Sequence, residues 1–171
     1  MTLQTNGGEV DFEDWYGEEH AALVRALILA APSEDLARDC ADEAFSRACA
    51  KWERVSTMTN PTGWTYRVAV NVLRRRLRRH RLEATLLQSR SSHRDVDAPP
   101  VPDDELWDAV RELPERQRVA IALRYVADLT EAEVAHAMGV RPGTVAATLS
   151  KARTQLSKQV QPSIEVTAWQ T

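Results

Sequence analysis

The stretch that most restricts what this chain can fold into is Thr130 to Lys151, where three helix signals follow one another closely. Thr130-Glu131-Ala132-Glu133 has the spacing of a capping box: the threonine hydroxyl accepts from the amide three residues on, and the glutamate reaches back to the threonine amide. A helix starting there presents Val134, Ala135 and Met138 inward and ends at Gly139, a residue suited to the left-handed turn that closes helices. The next helix begins around Pro142 and sets Val145, Leu149, Ala152 and Leu156 on one stripe. Two helices joined so tightly are expected to form a helix-turn-helix, which lays its second helix in a DNA major groove. Thr144, Ala147, Thr148, Lys151 and Gln155 fall on the outward face, with Arg141 beside free amides that suit a phosphate. A helical hairpin in a small bundle is the bland alternative, and the coincidence of cap, glycine and polar face favours DNA. That face lacks the arginine, asparagine or glutamine pairs that make bidentate base contacts, so its readout is expected to be weak.

The rest of the 171 residues reads as helix as well. Asp11 is a suitable N-cap for a first helix with Phe12, Trp15, Tyr16, Leu23, Ala26, Leu27 and Ala30 on one side. Pro32-Ser33 restarts the chain, and Leu36, Ala37, Cys40, Ala41, Ala44, Phe45, Ala48 and Trp52 supply a second amphipathic helix with an acidic opposite face. An irregular stretch, Val55 to Thr59, is closed by Asn60-Pro61, a cap followed by proline at the first helical position. A third helix then runs from about Thr62 to Leu82, with Val68, Val72, Leu73 and Leu77 available for packing. Ser89 to Pro102 has three prolines and no apolar period, too little to repay the entropy of ordering. Breaks at Leu113-Pro114, Asp128 to Thr130 and Gly139 to Pro142 divide the chain beyond it into four helices. The expected organisation is all-α: a disordered start over 1–10, a helical module over 11–82, a flexible linker over 83–102, a helix-turn-helix module over 103–160 and an unreadable tail over 161–171.

Charge is unevenly spread. The formal net charge is -3, yet residues 1–66 carry twelve acids against five bases, whereas Arg67 to Arg81 has seven arginines and no acid. Arg67, Asn71, Arg74, Arg78 and Arg81 are spaced by four, three, four and three, one ridge on a helix. Unneutralised, such a ridge repels itself and favours an anionic partner, with phosphates the obvious one. Trp52, Trp64 and Tyr66 flank the irregular stretch beside it, as in single-strand binders that stack bases on aromatic rings. Core packing is the competing role, favoured for Trp52 and evenly matched for Trp64. Asp35, Asp39, Asp42 and Glu43 make the acidic face of the second helix, which either docks a basic protein or is simply solvated.

Other classes are set aside by what the sequence lacks. It has no apolar run of the roughly 18 residues that cross a bilayer, and its polar start has no signal-peptide pattern, so cytoplasmic residence without membrane insertion is expected. Cys40 and Cys49 are nine apart, on opposite faces of one helix, and read as small core residues. His20, His80, His93 and His136 are scattered, and no catalytic or metal-ligand arrangement is visible; neither enzyme activity nor a cofactor is expected.

The order of parts closely resembles the extracytoplasmic-function sigma factors of bacterial RNA polymerase. In the first module the resemblance rests on Asp39-Cys-Ala-Asp-Glu-Ala-Phe45, Asn60-Pro-Thr-Gly-Trp64 and Tyr66-Arg-Val-Ala-Val-Asn71. In the second it rests on Leu113-Pro-Glu-Arg-Gln-Arg118, Leu123-Arg-Tyr125 and Gly143-Thr-Val145. It implies an initiation factor that binds core RNA polymerase and promoter DNA, with an anti-sigma factor as a candidate further partner. Asp39, Asp42, Glu43 and Arg47 would dock the polymerase clamp. Trp64, Arg67, Asn71, Arg74, Arg75 and Arg78 would meet the opened minus-10 element, with Asn71 a base reader, and Arg141, Thr144, Ala147, Thr148 and Lys151 would meet the minus-35 duplex. The chain departs from the family's usual residues at Cys40-Ala41-Asp42, at Arg141 and at Ala146-Ala147-Thr148. A dimeric helix-turn-helix regulator acting without polymerase is the alternative, and it leaves the acidic helix and aromatic loop without a role.

Overall fold

Helix α1 spans Phe12–Ala30 in a computed structural model that describes residues 11–87 and 105–160. Asp11 stands before it in extended conformation but makes no side-chain cap bond. Ser33 does cap α2, Glu34–Cys49, its hydroxyl accepting from the Leu36 amide at 3.3 Å. The face of α2 turned inward is mostly alanine, with Cys40 and Phe45, and such small side chains let α1 lie close against it. Two details differ from the sequence reading. Cys49 is exposed at the end of α2 rather than in the core. Trp52 lies beyond α2, in the one-turn α3, Trp52–Val55.

The rings of Trp52 and Trp15 approach to 4.8 Å between centroids, and Phe12 meets Trp52 edge-on at 5.2 Å. This aromatic cluster closes the open end of the α1–α2 pair, which confirms core packing for Trp52. Tyr66 is wholly buried, and burial pushes its phenol pKa up, so it is a core residue and not a base-stacking platform.

Helix α4, Pro61–Leu87, starts as its sequence dictates. The Asn60 side-chain oxygen accepts from the Gly63 amide, and proline occupies the first turn, where its missing N–H costs nothing. Gly63 makes this cap possible, because a Cβ there would come within 2.9 Å of the Asn60 carboxamide. The helix continues past Leu82 to Leu87, into the stretch read as linker. The remainder of that linker, the first ten residues and the tail lie outside the described residues.

The second module comprises α5 (Glu105–Glu112), α6 (Glu115–Ile121), α7 (Glu131–Met138) and α8 (Pro142–Val160). A π-helical turn, Ala122–Val126, extends α6. The capping box is complete: the Thr130 hydroxyl accepts from the Glu133 amide at 3.3 Å, and the Thr130 amide donates to Glu133 Oε2 at 2.8 Å. Gly139 has φ 65°, the left-handed closure its type allows. Among the described residues every regular element is helical, and none is long and apolar enough to cross a membrane.

The two modules share one core. Helix α1 packs against α5, α6 and the π turn, and α4 packs along α7. Leu23 and Leu27 thus belong to the same buried cluster as Val119, Ile121 and Leu123. Nothing in the periodicity of either module announces this, because a buried stripe does not say which partner buries it.

Candidate nucleic-acid interface

The arginine ridge exists, but the fold neutralises part of it, contrary to its reading as an uncompensated row. Arg75 Nη2 donates to Glu43 Oε1 at 2.9 Å, and Arg76 spans Asp39 at 2.9 Å and Glu43 at 3.0 Å. Arg74 is half-buried, with Nη1 donating to the Met138 carbonyl at 2.7 Å. Arg81 pairs with Glu115. Among the described residues Arg67 and Arg78 have no carboxylate partner, and with Asn71 they form an exposed line along α4. Trp64 is half-buried against the core at the head of this line. Nearby, the Thr57 hydroxyl is turned back to the Arg54 carbonyl at 2.9 Å.

Of the proposed docking residues, Glu43 is the electrostatic centre. It meets Arg75, Arg76 and, one helical turn away on α2, Arg47. Burial opposes its charge, but the Arg76 hydrogen bond, the Arg47 charge and the Arg75 hydrogen bond together hold its carboxyl below the usual range. Asp42 projects beside it toward His20 Nε2, at 3.2 Å, and Asp39 remains largely exposed next to Arg76. The acidic face is thus half committed to fastening α2 to α4, with Asp39 and Asp42 on its outer side. Arg76, absent from the sequence-based site, does most of that fastening; no spacing rule shows it, since its partners lie on another helix.

In the second module Val145, Leu149 and Ala152 are buried and Leu156 half-buried, which turns the opposite face of α8 outward as expected. Thr144, Ala147, Thr148 and Lys151 line an open groove of about 320 Å³ whose other wall is Pro114, Arg116 and Gln117 from the start of α6. Arg141 is exposed at the mouth of the turn. The Thr148 hydroxyl donates to the Thr144 carbonyl at 2.7 Å, leaving its oxygen as an acceptor. Arg116 and Gln117 were not legible as site residues, because only the packing of α6 beside α8 brings them to the groove.

Comparison with known families settles what carries these two surfaces. Residues 16–83 match the Sigma-70 region 2 family and residues 103–156 match Sigma-70, region 4. The chain belongs to the sigma-70 family. This sigma factor is similar along most of its length to curated relatives named RNA polymerase sigma-E factor. One, from Streptomyces coelicolor, is 27% identical over 156 residues, covering 90% of this chain and 88% of that protein. Another, from Streptomyces antibioticus, is 27% identical over 157 residues, with 90% and 87% covered. In fold it is similar to the sigma factor RpoE solved with the anti-sigma factor NepR from Bartonella quintana, with TM-score 0.76 and 20% identity over 90% of this chain and 98% of that one. CnrH, solved with the cytosolic domain of CnrY, matches with TM-score 0.59 and 20% identity over 89% and 88%. The extracytoplasmic-function assignment drawn from the motifs holds, and the chain is an RNA polymerase sigma factor directing promoter recognition. A dimeric regulator acting without polymerase is not favoured.

Proposed function

We propose a division of labour within this sigma factor. Asp39, Asp42, Glu43 and Arg47 on α2 dock a basic surface of core polymerase. Trp64, Arg67, Asn71, Arg74, Arg75 and Arg78 on α4 take the minus-10 strand as the duplex opens, and Arg141, Thr144, Ala147, Thr148 and Lys151 hold the minus-35 duplex. The observation that carries this reading is the exposed line of Arg67, Asn71 and Arg78, an uncharged hydrogen-bonding side chain set between two cations with no carboxylate partner among the described residues. Phosphate contacts fix position, and an amide between them supplies a donor and an acceptor for a base edge. Contacts offered only to an unpaired strand shift the equilibrium toward the open promoter. On α8 the groove beside Thr144 and Lys151 suits backbone anchoring more than base discrimination, since its floor at Ala147 offers no hydrogen bond. An anti-sigma factor is a fitting regulator, because both structural relatives were solved with proteins of that kind or with a partner domain. The chain works inside the cell as an initiation factor and not as a catalyst.

Two variants separate the contributions of the first module. Asn71→Ala is expected to lower open-complex formation about tenfold, the worth of a good base contact, with core binding unchanged. Reversing Asp39 and Asp42 to lysine is expected to weaken core binding by a similar or larger factor through like-charge repulsion, with single-strand affinity of the isolated chain unchanged or raised. Equal losses in both assays for both variants would remove the division of labour.

A further inference from the structure

We propose that His20 of α1 is a positioning residue for polymerase docking: it holds the exposed Asp42 carboxylate in one orientation without cancelling its charge. This inference rests on reading the outer face of α2 as the docking surface. The three carboxylates proposed for that surface are held in different ways. Glu43 receives Arg47, Arg75 and Arg76, and Asp39 receives Arg76, so a guanidinium offsets the charge of each. Asp42 instead meets an imidazole, with His20 Nε2 standing 3.2 Å from its Oδ1. An ionised carboxylate only accepts, so Nε2 carries the hydrogen, and a neutral imidazole supplies it. The pair then keeps one full negative charge, where an arginine in place of His20 would bring it to zero. Asp42 itself stays two-thirds exposed, within reach of a basic partner.

The imidazole is placed firmly enough to orient another group. Its ring lies 4.7 Å from that of Tyr16, one turn earlier on α1, and 5.3 Å from that of Phe45 on α2. Phe45 is buried and meets Tyr16 edge-on at 5.0 Å, so the three rings brace one another where α1 packs on α2. Only a quarter of the His20 side chain is exposed. A side chain held by neighbouring rings loses little further entropy on forming a hydrogen bond, unlike the two long, mobile chains of an ordinary surface ion pair. Asp42 is thereby fixed before a partner arrives, and an orientation set beforehand lowers the cost of binding. No spacing rule joins the two residues, since they lie on different helices, 22 positions apart.

The experiment is a double-mutant cycle on the full chain. Each variant competes with a fluorescent wild-type chain for core RNA polymerase at about pH 8, where a free imidazole is uncharged. His20→Gln keeps a neutral donor, His20→Phe keeps the ring stack and loses the donor, and His20→Arg donates but brings a permanent charge. All three are compared alone and beside Asp42→Asn. His20→Phe is expected to bind core about fivefold more weakly, and His20→Gln to recover most of that loss. His20→Arg is expected to lose a similar factor and to show a shallower dependence on salt, because the pair no longer presents a charge. Beside Asp42→Asn the three variants are expected to bind alike. Undiminished loss from His20→Phe in that background, or no recovery with His20→Gln, would overturn the proposal. If Asp42→Asn weakens core binding and His20→Phe does not, the docking reading stands and the role of His20 is lost. If Asp42→Asn alone leaves core binding intact, docking through Asp42 fails and the role of His20 goes with it.

Discussion

Glu43 sits where the two charge patterns of the first module meet, and removing it tests what those patterns are for. Its carboxylate receives Arg47, Arg75 and Arg76. Each such part-exposed pair is worth a few tenths of a kcal/mol, so Glu43→Ala is expected to cost about 1 kcal/mol in denaturant unfolding. The same substitution frees two arginines and is expected to raise affinity for single-stranded DNA at low salt. The pH dependence has a definite sign. A carboxyl held below its unfolded value contributes stability that is present above that value and is lost as pH falls through the folded one, so the wild-type advantage over Glu43→Ala is expected to fade in acid, below the ordinary glutamate range. The types and the shared faces of the candidate site residues are legible in the sequence at this scale; their partners are not. Spacing put Arg67, Asn71 and Arg78 on one line, but it gave no sign that Arg76 crosses to Asp39 or that Tyr66 faces the core.

At the scale of elements, local chemistry decided most outcomes, and these are the places where the sequence was most informative. Ser33, Asn60 and the Thr130–Glu133 box each cap the helix they precede, because a side-chain oxygen there meets amides that the helix itself cannot satisfy. Asp11 is the exception: in the right place by type, it makes no such bond. The sequence reading ends α4 near Leu82, whereas the helix runs to Leu87, in keeping with the helix propensity of glutamate, alanine and leucine in that stretch. The turn of the helix-turn-helix offers a clean test. Nothing lies within 4 Å of a Cβ built on Gly139, yet its φ is 65°, so Gly139→Ala is expected to cost about 1 kcal/mol through backbone strain alone. Thermal unfolding measures this. Thr130→Ala, which removes half the capping box, is expected to cost about as much, and the carboxyl of Glu133, now held low mainly by its bonds to Thr130, is expected to titrate closer to an ordinary glutamate by NMR.

For the whole molecule the shared core matters more than either module. One buried cluster running through both predicts one unfolding transition, with tryptophan fluorescence, dominated by the first module, and helix content coinciding. Arg118→Ala is expected to separate the probes: it strips the Ala30 and Arg111 carbonyls of a cationic donor, at about 2 kcal/mol, at the joint between modules. Retention of a single coincident transition at lowered stability would mean that apolar contacts alone hold the joint. The linker gave this union no signature in the sequence, since a polar, proline-rich connection is compatible with modules apart or together. Arg74 of the first module closes the end of α7, and Arg118 of the second closes the end of α1. Each half therefore carries a part that the other half lacks, and recombination between related sigma factors has a rule. A chimera joining this first module to a foreign second one keeps Arg74 for the end of α7 but leaves the end of α1 bare unless the donor brings its own arginine at the position of Arg118.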